Sequence, residues 1–303
     1  MPPKFFYSVL ERIGQFSEVT AEVNPENCQL SYLKELKDAG VNRISIGVQT
    51  FSQKLLKTLG RKHSVSDSIK GIENALTIFN NVSADLIFGI PGQNLKMLEE
   101  DLKLLTSFNL THISTYLLTF YEETPFFKTF KDKELPDEKL EKMYLLVKNF
   151  LKSKGFKQYE ISNFSKKGFE CRHNLSYWKL KNYEGLGPSA ASFIGDTYRK
   201  NISSLKNYIA LLKRNEIPAE EIKTFSPKEL IEIKLLMGLR LTEGIDLKEL
   251  GLAETFETKR KKLEWLEEEG FISYNLGKLT LTEKAQFIAN KIIGELIVSL
   301  LES

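Results

Sequence analysis

"VNRISIGVQTFSQKLLKTLGRKHSVSDSIKGIENALTIFNNVSADLIFGIPGQ", Val41–Gln93, decides the fold. Its ends are short β-branched runs, "VNRISIGVQTF" and "SADLIFGIPGQ", and between them lies "SVSDSIKGIENALTIFNN", an amphipathic stretch opened by Ser64 or Ser66 as a helix cap. A strand, a helix and a strand at this spacing form one βαβ unit, and such units build a parallel sheet. Upstream, "EVTAEVNP" is a strand stopped by Pro25, and "SYLKELKDAG" is a helix with Gly40 at its C-terminal cap. Downstream, helix "LKMLEEDLKLLTSF", strand "HISTYLLTF" and helix "DEKLEKMYLLVKNFLKSKG" continue the alternation. A barrel or partial barrel is the natural outcome.

In such sheets the polar groups at the carboxyl ends of strands line the ligand crevice. Four strand ends carry them: Glu22 with Asn24, Gln49 with Thr50, Asp85 with the following "GIPGQ", and Thr119 to Glu123, with Arg61 following the second. Each taken alone reads equally as an ordinary cap or loop residue. Together, two carboxylates, a carboxamide and a guanidinium suit a ligand with vicinal hydroxyls, an amine and a carboxylate.

Composition narrows the class. At 303 residues the chain allows one large domain and a smaller appendage, and a net charge of +3 over 43 basic and 40 acidic residues implies no nucleic-acid partner. No apolar run spans a bilayer and the start lacks a signal-peptide layout, so a cytoplasmic protein is expected. Cys28 and Cys171 are too few for a disulfide framework or a Cys-x-x-Cys knuckle. Against that scarcity "CRHNLSYW", Cys171–Trp178, gathers one of two cysteines, one of three histidines and one of two tryptophans. On composition alone the stretch reads as a satisfied histidine beside packing aromatics, with Cys171 a small buried thiol.

The motifs "EVTAEVNP", "GVNRISIGVQTF", "LGRKH", "DLIFGIPGQ", "ISTYLLTFYEETPF", "QYEISNF", "CRHNLSYW" and "YEGLGPSAASFIG" run nearly the length of the chain. In order and spacing they resemble radical S-adenosylmethionine proteins related to oxygen-independent coproporphyrinogen III oxidase, in the branch of heme chaperones. The resemblance implies S-adenosylmethionine contacts at Glu22, Gln49, Arg61, Asp85, Thr119 and Ala191. The His-Asn-x-x-Tyr-Trp signature of the chaperone branch falls on His173, Asn174, Tyr177 and Trp178, with His173 the ligand to heme iron. The implied partner is an acceptor hemoprotein, membrane-associated or not, and a homodimer is compatible with the sequence.

The family's Cys-x-x-x-Cys-x-x-Cys, which holds a [4Fe–4S] cluster, and its Gly-Gly-Thr-Pro turn are absent from this sequence. The first residues align with the helix after that turn. The fold expected is therefore α/β: a partial parallel radical-SAM-type barrel lacking its first two βα units over residues 1–155, an accessory region over 156–225, and a winged-helix-like C-terminal domain over 226–303. Such a chain alone is expected to be unable to cleave S-adenosylmethionine. An incomplete product and a shortened paralogue both fit, and the unmanaged edge of "EVTAEV" favours the first. The resemblance implies heme delivery. A coproporphyrinogen oxidase, a non-catalytic heme-binding module and a winged-helix regulator are the alternatives, although mixed charge in "ETKRKKLEWLEEEG" argues against DNA binding.

Overall fold

A computed structural model describes residues 3–14 and 16–301. The chain forms two compact units, residues 1–170 and 171–303.

In the first unit, α1 (Pro3–Ile13) precedes β1 (Thr20–Val23), α2 (Leu30–Asp38), β2 (Arg43–Gln49), α3 (Gln53–Thr58), α4 (Val65–Ile78), β3 (Val82–Phe88), α5 (Leu95–Leu105) and β4 (His112–Leu117). Strands β1 to β4 pair in parallel in sequence order, with β1 at one edge. After α6 (Pro125–Phe130) and α7 (Asp137–Ser153), strands β5 (Lys157–Gln158) and β6 (Asn163–Ser165) turn back and add antiparallel strands beyond β4. The unit therefore continues past the expected boundary at 155, because Phe164 pairs with Ile113 and is itself fully buried.

The capping expected at Ser64 is present. Asp67 N donates to Ser64 Oγ and Ser64 N donates to Asp67 Oδ2, so two backbone donors that the first turn of α4 would leave open are satisfied. Alternation then fixes the faces. Ile44, Ile46, Val48, Val82, Ala84, Leu86, Phe88 and Ile113 are buried on one side of the sheet, where the helices cover it. Arg43, Ser45, Ser83, Asp85, His112, Ser114, Asn163 and Ser165 occupy the other. The register aligns Ser45, Ser83, His112 and Ser165 in one row and Asp85, Ser114 and Asn163 in the next. A one-residue slip in any strand would exchange these faces, so the polar row is specified by the same pattern that makes the core. Within it His112 is fully buried between Ser83 Oγ at 2.7 Å and Tyr159 Oη at 2.8 Å, and burial holds its pKa well below the usual histidine range.

The second unit opens with α8 (Arg172–Trp178), followed by the antiparallel sheet β7 (Ala191–Ile194), β8 (Thr197–Asn201) and β9 (Ala219–Thr224), with α9 (Leu205–Lys213) between the last two. Next come α10 (Pro227–Gly238), β10 (Ile245–Asp246), α11 (Ala253–Glu268), the hairpin β11 (Ile272–Asn275) and β12 (Lys278–Leu281), and α12 (Ala289–Leu301). Strand β12 lies between β10 and β11, giving a three-stranded wing. The hairpin closes on Leu276 and Gly277, both with positive φ, as a two-residue turn requires. Helices and wing share a core of Leu235, Phe256, Leu263, Leu266, Leu279, Ile293 and Leu296. The segment expected as an accessory region over 156–225 is therefore divided, its first residues to 170 belonging to the first unit and the rest lying with the C-terminal segment in the second. No helix among the described residues is long and apolar enough to cross a membrane.

Candidate functional site

The carboxyl ends of β2, β3 and β4 surround a cavity of ≈ 430 Å3 lined by Gln49, Arg61, Asp85, Ile87, Thr119 and Tyr121, among others. Four of the six residues expected to meet one ligand are therefore brought together. Glu22 is exposed on β1 outside this lining, in register with Ser45. Ala191 lies in the second unit, at the start of β7. A larger hollow of ≈ 780 Å3 beside α1 and α2 gathers no comparable set of polar groups.

Gln49 reaches the cavity through an uncommon backbone. It has φ +68, and Thr50 N donates to Val48 O at 2.9 Å, so the strand ends in a γ-turn centred on a residue with no glycine-like freedom. Such conformations cost of order 1–3 kcal/mol and persist only where neighbours impose them. Two do so. Buried His63 holds Val48 O through Nε2 at 3.3 Å, and buried Asp101 of α5 accepts from Thr50 Oγ1 at 2.7 Å and from Phe51 N at 2.8 Å. Gly47 makes room: a Cβ there would lie 2.8 Å from Gln49 Nε2.

Asp85 lies deeper. Ser45 Oγ donates to its Oδ1 at 3.1 Å, yet burial dominates and raises its pKa to about 6; Ser114 and Ser45 lower it, and the Glu22 carboxylate adds to the rise. Tyr116 beside it is pushed up to about 12, first by burial and then by the charge of Asp85. A cation placed in this cavity would relieve both effects. Arg61 is exposed on the turn after α3 and forms no ion pair with another described residue, leaving its guanidinium available for a carboxylate. The donor set thus fits a zwitterion carrying hydroxyls.

The second cluster belongs to α8. Cys171 is a buried cysteine, outside any disulfide, at its N-terminal boundary. His173 is exposed and meets the Tyr177 ring edge-to-face at 4.6 Å. Tyr177 meets Tyr183 at 4.5 Å, Tyr183 stacks on Phe193 at 6.4 Å, and Phe193 lies 6.3 Å from Phe225. An aromatic row therefore backs the imidazole. Asn174 and Trp178 are partly buried on the next stripe of the helix. The loop that leads into β7 is tight: a Cβ at Gly185 would fall 2.1 Å from Ala191 O, so only glycine fits there. Asn201, a residue not anticipated, holds this loop by donating to Gly185 O at 3.2 Å and Gly187 O at 3.0 Å. Repeated glycines in "EGLGPSA" were the available signal for a loop needing such a clasp.

Comparison with known proteins bears on both clusters. Residues 3–105 match the radical SAM superfamily, and residues 225–288 match the HemN C-terminal domain. The chain is 36% identical over 295 residues to the heme chaperone HemW of Bacillus subtilis, covering 94% of this chain and 77% of that protein. It is 30% identical to heme chaperone HemW of Mycobacterium tuberculosis, covering 93% and 72%, and 35% identical to that of Lactococcus lactis, covering 80% and 63%. The chain therefore spans only part of each relative's length. In fold it matches the coproporphyrinogen III oxidase HemN of Escherichia coli, with TM-score 0.81 and 19% identity, over 99% of this chain and 74% of the other.

Proposed function

We propose, for a chain that belongs to the heme chaperone HemW family of radical SAM proteins, that it binds heme and passes it to an acceptor hemoprotein. Heme is cargo in this reading. The observation that carries it is the exposed imidazole of His173, backed by Tyr177 and the row behind it, within a family of heme chaperones. His173 ligates the iron through its neutral imidazole, and Tyr177 supplies an apolar edge that disfavours water at the ligand.

S-adenosylmethionine fits the first unit's cavity. Arg61 pairs with the methionyl carboxylate, Gln49 and Thr119 offer hydrogen bonds to the ammonium and ribose, and Asp85 accepts from a hydroxyl or balances the sulfonium charge. Glu22 of β1 is the further first-unit residue that the resemblance implies, and Ala191 belongs to the second unit. The cluster does not fit the residues present. Cys28 and Cys171 are both buried, burial raises the Cys28 thiol to about 12, and no group of three histidine, cysteine or acidic side chains comes together among the described residues.

The cytoplasm is the compartment, and the acceptor can be membrane-associated. Heme transfer tests the function: chain loaded with hemin is mixed with an apo-hemoprotein, and the acceptor's holo spectrum should appear faster than from free hemin. No acceleration would sink the chaperone reading. Conversion of coproporphyrinogen III to protoporphyrinogen IX, by a form carrying the cluster, would favour the oxidase reading that the HemN fold leaves as second choice.

A further inference from the structure

The four signature residues of α8 form two stripes. With 3.6 residues per turn, His173 and Tyr177 share one line and Asn174 and Trp178 the next, and Trp178 stands about 140° around the helix from His173. A flat macrocycle whose iron is held by His173 therefore lies on a different side of α8 from the indole. Trp178 has another engagement. The Arg240 guanidinium, in the turn after α10, lies over its ring at 5.5 Å, and Arg240 also donates to Asn290 Oδ1 of α12. One residue further along, Lys179 Nζ pairs with Glu243 at 2.9 Å in the same turn. The C-terminal end of α8 is thus gripped twice by the segment that matches the HemN C-terminal domain. The indole Nε1 is buried without a hydrogen-bond partner, so its N–H plays no part in the grip and the ring face does.

We infer that Trp178 and Arg240 form a positioning lock through which the C-terminal module sets the orientation of α8, and with it the direction in which His173 presents its imidazole; Trp178 is not a wall of the heme site. The inference rests on the heme reading of His173. It assigns the C-terminal module a part in cargo binding.

A double-mutant cycle read by hemin titration tests it. Arg240→Gln keeps a donor for Asn290 and removes the charge over the ring, and Trp178→Leu removes the ring. Each is expected to weaken hemin binding about fivefold, the weight of one partly desolvated cation–π contact, and to shift the Soret maximum, which follows ligand geometry rather than folding. The double variant is expected to be no weaker than either single one. Trp178→Phe, which keeps a weaker ring and deletes an unpartnered donor, should weaken binding less than Trp178→Leu does. Far-UV circular dichroism accompanies every variant; should Arg240→Gln fail to fold, Arg240→Lys, which keeps a cation but loses the planar guanidinium, should give a smaller shift in the same direction. Folded Arg240 variants with unchanged affinity and spectrum, beside a weakened Trp178→Leu, would overturn the lock and return Trp178 to the heme wall. If His173→Ala also bound hemin unchanged, the heme reading itself would fall, a separate outcome.

Discussion

Asp101 closes the turn that Gln49 opens. Its carboxylate accepts from Thr50 Oγ1 at 2.7 Å and Phe51 N at 2.8 Å, fixing the two residues after the one whose φ is +68. Asp101→Ala leaves a buried hydroxyl and amide without their acceptor and is expected to lower unfolding free energy by about 2–4 kcal/mol. Asp101→Asn, which keeps one acceptor oxygen, should lower it by less. Denaturant melts measure both. Equal and negligible effects would mean the turn stands without its clasp.

Gly47→Ala drives a methyl into Gln49 Nε2. The stability change should stay within about 1 kcal/mol, since the residue in the way is the end of a side chain. Equilibrium dialysis with S-adenosylmethionine should nonetheless show weaker binding than wild type. Unchanged binding would remove Gln49 from the ligand pocket.

Burial raises Asp85 to about 6, so the folded state binds its proton more tightly than the unfolded chain does. Its contribution to stability is full below the unfolded value of 3.8 and is lost as pH rises through about 6. Asp101 moves in the same direction and buried His112 in the opposite one, so the wild-type profile mixes them. The difference between wild type and Asp85→Asn isolates the group. That difference should be near zero at pH 3.5 and favour the asparagine variant by up to about 3 kcal/mol at pH 7. A pH-independent difference would contradict the buried carboxylate.

His112→Phe removes both buried hydrogen bonds of the imidazole, to Ser83 and Tyr159. A loss of about 2–4 kcal/mol is expected in thermal or urea unfolding. The Ser83→Ala, His112→Phe pair should be less than additive, because the partner left unpaired is then gone.

How much of this was legible varies by residue. Strands β2, β3 and β4 and helices α4, α5 and α7 follow directly from alternation and from periodicity near 3.6, because the elements are long and their caps conventional. The gathering of Gln49, Arg61, Asp85 and Thr119 was legible too, since parallel strands deliver their carboxyl ends to one rim. The turn at Gln49 was not: "VQTF" contains no glycine or asparagine to announce a positive φ. Asp101 was hidden among Glu99 and Glu100 in "LEEDLKLL", where helical periodicity suits a solvated face, and only packing reveals that it is buried. Strands β5 and β6 escaped because two and three residues carry too little alternation to be read. The two stripes of "HNLSYW" needed only helical geometry, but what each stripe faces depends on Tyr183, Phe193 and Arg240, brought near by the fold of the second unit.

The most direct test of the account is a hemin titration of the chain and of His173→Ala, followed by absorbance. Wild type should show a saturable Soret band at one heme per chain, and the alanine variant, folded by circular dichroism, should bind at least about tenfold more weakly with a shifted band, as loss of an axial imidazole requires. Identical titrations would contradict the assignment of His173 as the heme ligand and with it the proposed function.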